Sequence, residues 1–137
     1  MNSMKKIFII LVSACLALLS CSKASLPGVT LSSDLYEVSV EKYSNTIAFT
    51  LSWEKSGGNV DISKTYVQFC TDKEFVSPYV LSSSEDSFVV TFKDLKKIQD
   101  NFGTVEDYEL IIRLLVEGEE VPSVYSNKIR IKVHLPS

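Results

Sequence analysis

The sequence predicts an all-β domain: a two-sheet sandwich of immunoglobulin or fibronectin-III type, with about seven strands and one short helix. Three observations carry that prediction. From residue 21 onward the chain holds 28 Val, Ile and Thr residues against two Ala. β-Branched side chains favour pleated, half-buried backbone, whereas Ala is the best helix former. Apolar residues also recur at every second position in several segments, the signature of strands with one buried and one wet face. Turn-forming residues punctuate those segments.

Taken in order, residues 22–33 are rich in Ser with one Pro and one Gly, and read as a flexible tether. A weak strand follows over Leu35 to Val40. Ile47, Phe49, Leu51 and Trp53 then alternate with Ala48, Thr50 and Ser52, and Ser56-Gly57-Gly58-Asn59 forms a turn. Thr65, Val67 and Phe69 alternate with Tyr66, Gln68 and Cys70. A second weak strand covers Pro78 to Ser82, and Phe88, Val90 and Phe92 make another clear one. One segment changes period: Leu95, Ile98 and Phe102 recur at helical spacing, with Asp94 as the expected N-cap and Gly103 as the stop. Leu110, Ile112, Leu114 and Val116 form the face of the next strand, and the turn Val116-Glu117-Gly118-Glu119 leads to the last. There Ile129, Ile131, Val133 and Leu135 alternate with Lys128, Arg130, Lys132 and His134.

The N-terminal residues follow a different rule. Lys5 and Lys6 precede an apolar run from Ile7 to Leu19, long enough for a signal-peptide core and too short to span a bilayer, which needs ~20 residues. The run ends in Leu18-Leu19-Ser20-Cys21, which resembles the bacterial lipobox, although Leu19 is bulkier than usual at its position. Val12-Ser13-Ala14-Cys15 matches the letters better but leaves only Ile7 to Leu11 as apolar core, so Cys21 is the preferred acylation site. The resemblance implies cleavage before Cys21, a diacylglyceryl group on its thiol and an acylated amine. Ser22, where Asp would favour inner-membrane retention, points to the outer membrane. Neither leaflet face is selected, because Ser22-Lys23-Ala24-Ser25 carries no acidic cluster. The expected organisation is a signal peptide over residues 1–20, a tether over 21–33 and a sandwich over 34–137.

Composition excludes several functions. Of the 137 residues, 14 are Lys or Arg and 17 Asp or Glu, and losing Lys5 and Lys6 with the leader moves the net charge from −3 to −5. A nucleic-acid binder needs a clustered basic surface. The single histidine, His134, disfavours imidazole catalysis and multi-histidine metal sites. Cys15 leaves with the leader and Cys21 is consumed by lipid. Cys70 therefore stands alone, a small half-buried strand residue with no disulfide partner.

Five features in order look like the N-terminal domain of SusE-type outer-membrane lipoproteins of glycan-utilisation systems. They are the lipobox; the strand ending Phe49-Thr50-Leu51-Ser52-Trp53; Tyr66-Val67-Gln68-Phe69 followed by Phe75-Val76-Ser77-Pro78; Val90-Thr91-Phe92-Lys93-Asp94-Leu95 entering a short helix; and Arg113-Leu114 with Tyr125-Ser126-Asn127-Lys128-Ile129. The likeness spans residues 30–135. Members of that family continue into further sandwich domains expected to hold glycan, and the first domain looks like a spacer. The resemblance thus implies fold, anchor and setting, and transfers no sugar site.

Each chemical candidate has a plainer role. Trp53 alternates inward with Phe49 and Leu51, as a core tryptophan does. Tyr36, Tyr43, Tyr79, Tyr108 and Tyr125 include exposed rings, and two neighbouring ones would suit CH–π contact with a sugar. Glu85-Asp86, Glu106-Asp107 and Glu119-Glu120 fall in turns, where adjacent acids are solvated rather than set for glycoside hydrolysis. Asp72 and Glu74 are too few for a calcium loop. A Ser–His–acid triad would have to use His134, on the wet face of a terminal strand. The expected protein is non-catalytic, without cofactor or metal. It is held to the membrane through Cys21 and acts as a spacer or docking unit beside other glycan-uptake proteins. Two alternatives stand: an oligosaccharide-binding lipoprotein using exposed tyrosines, and a periplasm-facing lipoprotein unrelated to glycans.

Overall fold

The computed structural model describes residues 23–136, so Cys21 and the leader lie outside the described residues. Nine strands and one helix are present among them: β1 (Gly28–Ser33), β2 (Glu37–Ser39), β3 (Ile47–Ser56), β4 (Lys64–Cys70), β5 (Tyr79–Ser83), β6 (Ser87–Thr91), α1 (Phe92–Phe102), β7 (Tyr108–Gly118), β8 (Val121–Tyr125) and β9 (Ile129–His134). The smaller sheet has the order β1-β3-β6, and the larger β2-β9-β7-β4-β5, with β8 paired to β7. Every pairing is antiparallel except β2 with β9. This is the two-sheet sandwich that the alternation predicts.

The expected inward positions meet between the sheets. Phe49, Leu51, Val67, Phe69, Val90, Leu110, Ile112, Leu114, Val116 and Ile131 are fully buried, each contributing ~1.5–3 kcal/mol of apolar transfer. Trp53 belongs to the same cluster, at 6% exposure. α1 crosses one end and buries Leu95 and Ile98.

Several elements differ from the sequence reading. The stretch expected as tether is only partly one: β1 occupies Gly28–Ser33 and pairs along β3 from Ser56 to Leu51. Its short alternation, Val29 and Leu31 against Thr30 and Ser32, is masked by a Ser-rich composition, yet Leu26, Val29 and Leu31 are all buried. The chain is held still earlier, because the Ser25 carbonyl accepts from the backbone N–H of Asn59 and Val60. Ile47 points outward, 55% exposed, because a bulge between Ile47 and Phe49 inserts Ala48 and shifts the register. Glu119-Glu120 turns the chain into β8 rather than into the last strand. The N-cap of α1 is Thr91; Asp94 sits at N3 and closes a capping box, accepting from the Thr91 N–H while Thr91 Oγ1 accepts from its own. Gly103 ends the helix with φ 66°.

Candidate ligand-binding face

The outer face of the larger sheet gathers the groups with the most chemistry. Register decides which side chains are neighbours. Gln68 on β4 lies between Val80 on β5 and Arg113 on β7, and the next row reads Ser82, Tyr66, Leu115, Tyr125 across β5, β4, β7 and β8. Paired residues share a face, and strands lie ~4.8 Å apart, so the backbones of Tyr66 and Tyr125 stand roughly 10 Å apart with Leu115 between them. Tyr125 is 52% exposed and Val80 46%, while Tyr66 and Leu115 are half-buried.

Arg113 is the centre of this face. Its guanidinium carbon lies 3.9 Å from the Tyr125 ring centroid and 4.2 Å from that of Phe75, within range for stacking on both. Its Nε–H donates to Gln68 Oε1 at 2.8 Å. Phe75 reaches this position by an uncommon backbone. Its φ is 52°, a left-handed conformation that disfavours a bulky residue by ~1–2 kcal/mol. Asp72 enforces the turn: Oδ1 accepts from the N–H of Glu74 and Val76, and the Asp72 carbonyl accepts from Phe75 N–H. The Phe75 ring is buried against Cys70 and Ile111 in a second small cluster. Lys128 also faces the Phe75 ring and donates to the Lys73 carbonyl.

The motif Tyr125-Ser126-Asn127-Lys128 thus assigns each residue a partner. Tyr125 stacks on Arg113. Ser126 Oγ accepts from Leu114 N–H at 2.8 Å. Asn127 Oδ1 accepts from Leu31 N–H at 2.7 Å and its Nδ2 donates to Leu31 O at 3.0 Å. Asn127 therefore behaves as a one-residue strand edge that stitches the small sheet to the large one.

The other candidates have structural partners. Cys70 is fully buried rather than half-buried, and its thiol donates to Asp72 Oδ2. Burial above all, with the Asp72 carboxylate, pushes its pKa up, whereas the thiol's hydrogen bond chiefly holds Asp72 low. Asp72 is thus committed to its own loop. His134 is bracketed by carboxylates: Nδ1 is 3.0 Å from Asp107 Oδ2, and Nε2 meets Glu37. Both raise its pKa, Glu37 most. Asp107, which also accepts from Leu135 N–H, is held low. Both ring nitrogens thus face carboxylates rather than a serine hydroxyl. Asp86 pairs with exposed Lys55, and Glu119 and Glu120 are exposed in their turn. Among the expected tyrosines, Tyr36 and Tyr125 are exposed, while Tyr43, Tyr79 and Tyr108 pack against the core. The Tyr108 hydroxyl is buried without a partner among the described residues, and burial raises its pKa. Sequence reasoning missed Tyr66, Gln68 and Arg113 as a group, because their adjacency depends on cross-strand register.

Fold and face together define an all-β sandwich with a built aromatic–arginine surface. The chain matches the family model described as "SusE outer membrane protein" over residues 19–114. It belongs to that family, and membership associates it with the outer membrane. No curated protein matches the chain.

Proposed function

We propose that this chain is a lipid-anchored, non-catalytic sandwich of an outer-membrane glycan-uptake system, working as a spacer or docking unit. A signal peptide over residues 1–20 and acylation of Cys21 supply the anchor. Two or more acyl chains hold stably, at ~0.8 kcal/mol for each buried methylene. The observation that carries the reading is the family match, which begins at residue 19 and so includes Cys21 together with the sandwich as far as residue 114. Against catalysis stand the structural bonds that occupy His134, Asp107 and Asp72. Fractionation of cells expressing Cys21→Ala tests the anchor: the protein leaves the membrane fraction, and undiminished retention overturns it. Surface proteolysis of intact cells assigns the displayed face.

A second reading, direct capture of oligosaccharide, is favoured by one observation: Tyr66 and Tyr125 stand in one row on one face. Affinity electrophoresis in polysaccharide gels tests it, since capture gives retardation that Tyr125→Ala removes.

A further inference from the structure

We infer that the outer face of the larger sheet binds a carboxylate-bearing saccharide, with Arg113 as the carboxylate receptor and the Tyr66–Tyr125 row as the platform for the sugar ring. This rests on the oligosaccharide-capture reading and names the class of ligand that the face fits.

The state of Arg113 is the first argument. Stacking between Phe75 and Tyr125, with Nε held by Gln68, fixes the plane of the guanidinium. A free arginine loses rotamer entropy when it closes on a ligand; this one is already ordered. Among the described residues its two Nη groups donate to no other group, so the fork that grips a carboxylate bidentately is available. The support is also specific. Asp72 holds Phe75 in a disfavoured backbone conformation, and the Phe75 ring then backs the guanidinium.

Charge complementarity is the second argument. The chain is acidic overall, yet two acids near this face are engaged elsewhere. Glu109 is 2.7 Å from Arg130, and Asp72 is turned to its loop amides and the Cys70 thiol. Arg113 and Lys128, both on the Phe75 ring, are left as cations. A neutral sugar offers the guanidinium only single hydroxyl acceptors, whereas a uronate offers both a C–H ring face for Tyr125 and a bidentate anion for Arg113.

Calorimetry on the detergent-solubilised full chain tests this with trigalacturonate, neutral maltotriose and a short oligoglutamate as probes. The expected result is trigalacturonate binding that weakens as salt is raised, with maltotriose at least ~10-fold weaker. Arg113→Lys, which keeps charge but not the fork, lowers affinity ~10-fold, and Arg113→Gln removes it. Tyr125→Phe keeps the stack and retains binding. Lys97→Gln, on α1 at the end of the sandwich, leaves it unchanged, and melting curves certify that each variant is folded. Equal binding of maltotriose, abolished by Tyr125→Ala, overturns the uronate inference while leaving oligosaccharide capture intact. Failure of both sugars overturns both. Oligoglutamate binding as tightly as trigalacturonate shows a general anion site and overturns the saccharide assignment.

Discussion

Asn127→Ala probes the contact on which sheet-to-sheet registration depends. Asn127 is itself exposed, yet its amide satisfies both the N–H and the carbonyl of Leu31 on the outer edge of β1, at 2.7 and 3.0 Å. The Leu31 side chain is 2% exposed, so this part of β1 is pinned against the core. Each hydrogen bond contributes ~1 kcal/mol net, and the alanine variant loses both, for a total of about 2 kcal/mol. The 114 described residues have an unfolding entropy near 0.24 kcal/mol/K, so the expected fall in melting temperature is about 8 °C. Asn127→Asp keeps the acceptor for Leu31 N–H but sets an oxygen against Leu31 O, and falls between wild type and alanine or below both. Asn59→Ala is the control, since Asn59 makes a similar pair of bonds, to Ser25 N–H and the Lys23 carbonyl, at the exposed start of the domain. Thermal unfolding followed by circular dichroism reads all three. If Asn127→Ala melts within about 1 °C of wild type, water replaces the amide at no cost and the stitching argument is wrong.

Three further outcomes follow from other parts of the molecule. Gly57→Ala and Gly58→Ala should differ sharply in chemical denaturation: both residues have positive φ, but a Cβ on Gly57 meets nothing within 4 Å, whereas one on Gly58 lies 2.4 Å from Pro27 N. The first loses ~1 kcal/mol to backbone strain, and the second loses more because the entry to β1 must retreat. His134 gives stability a pH dependence with a defined sign. Its folded pKa lies above 6.5, so its contribution is complete below that value and is lost as pH rises through the folded one; Asp107, held below 3.8, loses its contribution as pH falls through its own. Melting temperature should therefore decline as pH rises above about 6.5, and His134→Gln should flatten that decline. In a Cys15→Ala, Cys21→Ala chain, Cys70 should react with a thiol reagent only at the rate of unfolding, because the buried thiol is held protonated; rapid labelling of the folded protein would contradict this.

The parts of the fold legible in the sequence are those that period-two alternation encodes by itself. Phe49, Leu51 and Trp53 on β3, Val67 and Phe69 on β4, the four apolar residues of β7 and the comb of β9 all face where their spacing sends them. β1 was hidden because two apolar–polar pairs amid serines look like linker composition, and its partner β3 is needed to reveal it. The outward turn of Ile47 depends on a bulge, which breaks the alternation that would otherwise bury it. The aromatic–arginine face was hidden for a related reason. Tyr66, Arg113 and Tyr125 are far apart in the chain, and only the pairing of β4, β7 and β8 places them together.

The early entry of the chain into the sandwich changes the geometry of anchoring. With acyl chains on Cys21, four peptide steps lead to Ser25, which is already clasped by Asn59 and Val60. That leash extends at most about 14 Å, a third of what a tether running to residue 33 would allow. If Cys21 is acylated as proposed, the domain would ride close above the headgroups with the 56–61 corner downward. The Glu119-Glu120 hairpin shares that lower end, since Gly118 packs beside Leu26, and its charges repel an anionic leaflet. Under the proposed anchor, repulsion below and a short leash would together favour an upright sandwich.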